Sequence, residues 1–569
     1  MKVSVIPSAA IGIVLATVSA LLQTPAQPRR QVDAAGLLPA GAALVLQARD
    51  FSTIVADWNT SSEKAKWLGS GNYSAFSRSR LFLRLTEAYG EFATAAGAPV
   101  DMTLVSDLAG GESALAIYDI GKLEFLYVTR MPLAKAMENS LWRTRGTYEP
   151  RQAAGTPFYV RIDPESKRLV AFGARDDYLL LATREDLLAG ALALIGAQSG
   201  AASVQAEGWF AQAVKAAGSP GDLRLVMNLE AIVKEPHFRS YWIQGNVSDL
   251  KPFVSGVSDL FRTPAEIREE RVLLRAEEKP PTGEPAEAAL GEIARLVPDT
   301  AGLYRAWVAP LATEATNLIF SKILAPGPSS SVRDRTAPGA VLTNGVVGGP
   351  DNLETRIDEE ARAPRAVGYQ IAALGQLIDR EPPAAMLHVE STRAGSDSAF
   401  VSRGAVIVVA RQSDWPQGAA RDAIRTAVEP VWTKARLGMR WNEVRAGAQT
   451  FSQLEGLEPI AVAERGRLLF VANDPALLAS VLDAVPKPSL ALRGAYAGGF
   501  RHALERDRFV SVMRFIDHAS PRGENREPMF FSENLASLSN TLSRVDSASI
   551  VVRDAGATMS QTVTYRLAR

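Results

Sequence analysis

Tyr178-Leu179-Leu180-Leu181-Ala182-Thr183-Arg184-Glu185-Asp186-Leu187-Leu188-Ala189 and Leu468-Leu469-Phe470-Val471-Ala472-Asn473-Asp474-Pro475-Ala476-Leu477-Leu478-Ala479 are two versions of one phrase. Each reads as a short apolar strand, a capping residue and an amphipathic helix. Thr183 and Asp474 read as the caps, Pro475 suits a first helical turn, and the leucines read as core.

Other segments recur in the same order around that phrase. Leu37-Leu38-Pro39-Ala40-Gly41-Ala42-Ala43-Leu44 leads into a strand and a short helix capped by Asp50, and Leu296-Val297-Pro298-Asp299-Thr300-Ala301-Gly302-Leu303 repeats it. A helical pattern from Ser74 to Ala96 places Leu81, Leu85, Ala88, Tyr89 and Phe92 at helical spacing, and residues 352–377 fill that slot in the second half. Gly110-Gly111-Glu112-Ser113-Ala114 opens a strand pair whose counterpart opens at Gly395-Ser396-Asp397-Ser398-Ala399. Leu225–Leu229 matches Ser511–Phe515, and each half closes on strands, at Ile267–Ala276 and Thr558–Leu567.

The period is far longer than that of a solenoid, so each copy is expected to fold as its own lobe. Strands follow strands more often than they alternate with helices. The expected fold class is therefore α+β, two tandem duplicated lobes, each a largely antiparallel sheet packed with helices. The expected layout runs as a signal peptide or N-terminal membrane anchor at 1–26, a linker at 27–36 and a first lobe at 37–278. An interlobe linker follows at 279–290, then a second lobe at 291–569. A Gly-, Pro- and Ser-rich insertion at 325–352 reads as a mobile loop, because it carries too little apolar surface to offset the entropy of ordering it.

Composition sets bounds on function. The 569 residues are 47% hydrophobic and 22% charged, with 62 basic and 62 acidic side chains and no long block of one sign. That is globular composition without the concentrated basic footprint of a nucleic-acid binder. There is no cysteine, which removes disulfides, thiolate metal sites and cysteine nucleophiles together. Secreted eukaryotic domains of this size usually carry disulfides, so the absence points to a bacterial envelope protein. Lys2, the apolar run Val3–Leu22 and the exit Thr24–Arg30 form a leader, cleaved or retained as the sole membrane attachment. Asn59, Asn72 and Asn246 open chance glycosylation sequons.

Chemistry is sparse. The four histidines, His237, His388, His502 and His518, have no zinc-motif spacing, and His388 sits in an apolar strand. No P-loop, nucleophile elbow, dinucleotide fingerprint or calcium loop occurs. Ser61-Ser62-Glu63-Lys64 and Ser248-Asp249-Leu250-Lys251 match Ser-x-x-Lys but lack its partner motifs. Glu112-Ser113 and Asp397-Ser398 read as turn chemistry before a strand, and Asp176-Asp177 and Asp358-Glu359-Glu360 as solvated turn and helix faces. The sequence thus names no catalytic residue, no cofactor-binding residue, no metal ligand and no cofactor.

The Leu38-Pro39-Ala40-Gly41-Ala42-Ala43-Leu44 phrase and the strand–helix phrase at Tyr178–Ala189 resemble a broad group of exported bacterial proteins of unknown function. In that group a leader precedes two related α+β lobes, and no catalytic residues are established. The resemblance implies an exported protein of the periplasm or cell envelope and leaves activity open. The leading expectation is a non-enzymatic protein that binds an envelope partner or a small apolar ligand in a cleft between related lobes. Trp58, Trp67, Tyr73 and Phe76 are candidate cleft aromatics, with core the favoured reading. The alternatives are a hydrolase with a serine or carboxylate site, and an envelope structural or assembly factor.

Overall fold

The two copies of the opening phrase are strands buried on both faces. In Tyr178–Ala182, Leu180 and Ala182 enter one core while Leu179 and Leu181 enter another. In Leu468–Ala472, Phe470 and Ala472 face one core and Leu469 and Val471 the other. A strand covered on both sides has no solvent face, which is why these segments are continuously apolar instead of alternating. The helices that follow bury Leu187, Leu188, Ala191 and Leu192 in one case and Leu477, Leu478, Val481 and Leu482 in the other.

This computed structural model describes residues 33–505 and 545–568, except 62–63, 65–67, 70–72, 74–76, 79, 198–201, 237–249, 326–367, 395–400, 435–437 and 457–458. The leader, the 326–352 insertion, Trp67, Phe76, His237, His518, Ser398 and Asp358–Glu360 lie outside the described residues. The chain divides by packing into two units, one ending at Lys279 and taking in Gly556–Thr562, the other Pro280–Ala555 with Val563–Arg569.

The first unit contains β1 (Leu44–Ala48), β2 (Ser113–Asp119), β3 (Glu124–Arg130), β4 (Glu149–Ala153), β5 (Thr156–Ile162), β6 (Leu169–Arg175), β7 (Tyr178–Ala182), β8 (Leu223–Asn228), β9 (Phe253–Arg262) and β10 (Glu266–Arg275). They pair antiparallel in the order β4-β5-β6-β7-β3-β2-β1-β8-β9-β10. The second unit contains β11 (Leu303–Val308), β12 (Ala385–Ala394), β13 (Val401–Ala410), β14 (Arg440–Ala446), β15 (Gln449–Glu455), β16 (Ile460–Arg465), β17 (Leu468–Ala472), β18 (Tyr496–Arg501) and β19 (Val545–Asp554). Their order, β14-β15-β16-β17-β13-β12-β11-β18-β19, matches the first strand for strand, with β20 (Thr558–Leu567) after β19. The fold is α+β and antiparallel, as the strand-after-strand pattern indicated.

Three sequence readings need correction. Residues 284–290, assigned to the linker on composition, open the helix Glu284–Ala294, and Leu290 is fully buried. Pro285 marks a helix start there, since a first-turn proline sacrifices no hydrogen bond. The Gly110 and Gly395 segments are not counterparts. Gly110 precedes β2, whereas Gly395 falls between β12 and β13, which pair along their full lengths from Ala385–Ala410 to Ala394–Val401. Thr183 is not a cap: Arg184 occupies the N-cap position without a side-chain bond. Asp474 does cap, accepting from the amides of Ala476 at 3.0 Å and Leu477 at 2.9 Å.

Candidate functional site: an apolar pocket under one helix

The helix Arg80–Ala96 is amphipathic, and its apolar positions turn toward the sheet beneath it. Phe92 meets Phe125 of β3 with ring centroids 5.8 Å apart. Contact is incomplete along the rest of that face. Leu85, Ala88, Tyr89 and Phe92 from this helix, Leu104, Val105 and Leu108 from the helix Met102–Leu108, and Leu123, Phe125 and Leu181 from the sheet enclose a cavity of about 310 Å³. That is at the small end of the range for ligand pockets, roughly 300–1,000 Å³. Leu85 is 37% exposed and Tyr89 47% exposed, so the pocket opens to solvent beside them.

Three side chains with polar groups line the pocket, Tyr89, Thr183 and Arg168. Thr183 Oγ1 accepts from the Phe125 amide at 2.8 Å, so its hydroxyl belongs to the sheet. Arg168 stands just before β6, mostly buried. Its Nη2 donates to Glu91 Oε2 of the covering helix at 2.7 Å, and its Nη1 donates to the Lys122 carbonyl.

The strand registers place Arg403, Ala405, Val471 and Asn473 of the second unit where the first has Leu123, Phe125, Leu181 and Thr183. There the corner is charged. Glu390, 3% exposed, lies 2.9 Å from His388 Nε2, 3.0 Å from Lys322 Nζ and 3.0 Å from Arg403 Nη1. Burial alone would raise the Glu390 carboxyl; the close approach of His388 and the charges of His388, Arg403 and Lys322 outweigh it and hold the group well below its ordinary range. Burial pulls the His388 imidazole down against the opposing pull of Glu390. The register counterparts of His388 and Glu390 in the first unit are Leu115 and Ile117.

The residues singled out from sequence are placed as follows. Ser113 is buried, its Oγ 2.6 Å from Thr129 Oγ1 and accepting from Tyr127 at 3.3 Å, a hydroxyl cluster without a base. Glu112 accepts from the Ala34 amide at 2.8 Å, and burial raises its carboxyl. Ser61 ends a helix, donating to the Trp58 carbonyl at 2.9 Å, while Lys64 donates to Asn59 at 2.7 Å. Asp176 and Asp177 form the two-residue turn between β6 and β7, with Asp176 at φ 53°. Trp58 is half-buried and Tyr73 packs edge-on to Phe82 at 6.3 Å; neither lines the pocket. His502 packs edge-on to Phe500 at 5.5 Å. No group of three or more His, Cys, Asp or Glu side chains suited to a metal occurs among the described residues. The helical spacing of Leu85, Ala88, Tyr89 and Phe92 identified a helix and its apolar face, but spacing cannot show that a face is only partly filled.

The fold and site define an α+β protein with an apolar pocket inside one antiparallel unit. No family model and no curated protein matches the chain. Among solved structures, crystal form I of TP0453 aligns at 15% identity over 44% of this chain and 81% of that one, with a TM-score of 0.23. Crystal form III aligns at 12% identity over 47% and 88%, with a TM-score of 0.24. Likeness at that level assigns no function. No helix among the described residues is long and apolar enough to cross a membrane.

Proposed function

We propose that the protein is a non-catalytic binding protein that takes a small apolar ligand into the pocket beneath the Arg80–Ala96 helix. The carrying observation is the 310 Å³ apolar cavity with Leu85 and Tyr89 left open at its mouth. Filling it would remove that apolar surface from water at about 25 cal/mol per Å². The pocket lies inside one unit, whereas the sequence reading looked to a space between two. A hydrolase reading gains nothing from Ser113, whose hydroxyl is tied into a buried cluster. The leader at 1–26 and the lack of cysteine support an envelope setting.

The test is titration of the full-length protein with a neutral naphthylamine fluorophore, followed by displacement with alkanols of increasing chain length. Saturable binding with displacement that strengthens with chain length is expected. No saturable binding would overturn the reading. Recovery of the native protein only from the cytosolic fraction of its host would overturn the envelope assignment.

A further inference from the structure

We infer that the pocket's ligand is a single-chain amphiphile with an anionic head, the chain in the cavity and the head on Arg168; this rests on the pocket reading above. Arg168 is the one charged side chain in the lining. Its side chain is 13% exposed, so a charge that reaches it from the pocket is shielded from most of the water. Its two terminal nitrogens are engaged, Nη2 by Glu91 and Nη1 by the Lys122 carbonyl, and Nε has no partner among the described residues. A guanidinium presents its donors as a planar fork, matched to carboxylate or phosphate oxygens. Glu91, 35% exposed, can turn to solvent at low cost when a ligand carboxylate takes its place, whereas Arg168 is held. Thr183 is a poorer head-group contact, because its hydroxyl accepts from the Phe125 amide at 2.8 Å and donates to the Phe125 carbonyl at 3.4 Å. The charge that meets the head therefore comes from one residue, Arg168. A neutral chain gains the apolar burial but forms no charge-assisted bond to Arg168.

The experiment compares dodecanoate, dodecyl phosphate and dodecanol below their micelle thresholds as displacers of the bound fluorophore, using the full-length protein. Dodecanoate and dodecyl phosphate are expected to bind about tenfold tighter than dodecanol, the factor set by a charge-assisted bond. The phosphate arm shows whether the fork selects a carboxylate or takes either anion. Arg168→Gln is expected to bring dodecanoate to the dodecanol level while leaving dodecanol unchanged. Equal binding of all three to the unmodified protein overturns the head-group assignment and leaves the pocket reading standing. Failure of all three to bind overturns both. Because the first comparison uses the unmodified chain, a folding defect in Arg168→Gln does not blunt it.

Discussion

Asn473 grips Ala405 twice: its backbone amide donates to the Ala405 carbonyl at 3.2 Å, and its side-chain Oδ1 accepts from the Ala405 amide at 2.7 Å. Thr183 does the same to Phe125, at 3.1 Å and 2.8 Å. Register makes Phe125 and Ala405 counterparts, one step before Leu126 and Val406 on β3 and β13. A hydroxyl in one unit and a carboxamide in the other thus extend the ladder by one pair beyond the end of β7 or β17, satisfying an amide that would otherwise lose its partner.

Asn473→Ala removes that acceptor next to a buried backbone group and is expected to cost about 1–3 kcal/mol. Asn473→Thr, copying the other unit, is expected to recover most of it. Denaturant midpoints at constant slope measure both. Equal stability of the Ala and Thr variants would count against the bracket.

One residue further along, the units diverge. Glu124 pairs with Arg184 at 3.0 Å, while the corresponding Gly404 lies against Asp474. A Cβ at Gly404 would stand 2.2 Å from Asp474 Oδ2, so Gly404→Ala must displace the cap, at about 1–3 kcal/mol. Asp474→Ala alone is expected to cost about 1 kcal/mol as a lost cap. The double variant should cost less than the sum, since the smaller side chain relieves the clash. Strict additivity in a thermal-melt cycle would sink this account.

Leu290 tests whether 284–290 is linker or core. Fully buried in the helix Glu284–Ala294, it is expected to cost about 2–5 kcal/mol on change to Ala. Ala substitution in a true linker would leave the denaturation curve where it was.

Glu390 links stability to pH. Its folded carboxyl is held below the ordinary 4.5, so its contribution is complete above that value and is lost as pH falls toward the folded one. Glu390→Gln is expected to lower stability at neutral pH by about 3 kcal/mol and to flatten the decline below pH 4.5. An unchanged acid slope in the variant would show that other carboxylates carry it.

Ala88 lies 8% exposed in the pocket wall, so Ala88→Phe places a ring in existing space. Loss of fluorophore binding with an unchanged melting temperature is expected. Retained affinity would move the ligand elsewhere.

The sequence by itself determined the elements and their recurrence. Apolar runs long enough for a strand, followed by a polar residue and a helical stripe, are local facts, and Tyr178–Ala182 and Leu468–Ala472 obey them. The helix face of Leu85, Ala88, Tyr89 and Phe92 was legible in the same way. Tertiary structure alone decided what those faces meet. Thr183 looked like a helix cap because caps and ladder-closing acceptors use the same side chains, and only the position of Phe125 separates them. Glu112 and Asp397 looked equivalent because Gly-rich turns are alike, and only strand pairing shows which strand each one precedes or follows. The register that aligns Leu115 and Ile117 with His388 and Glu390 is likewise a long-range pairing, invisible to spacing along one segment. The pocket is a shortfall in packing between a helix and a sheet. A shortfall is a property of their separation, which no run of residues records.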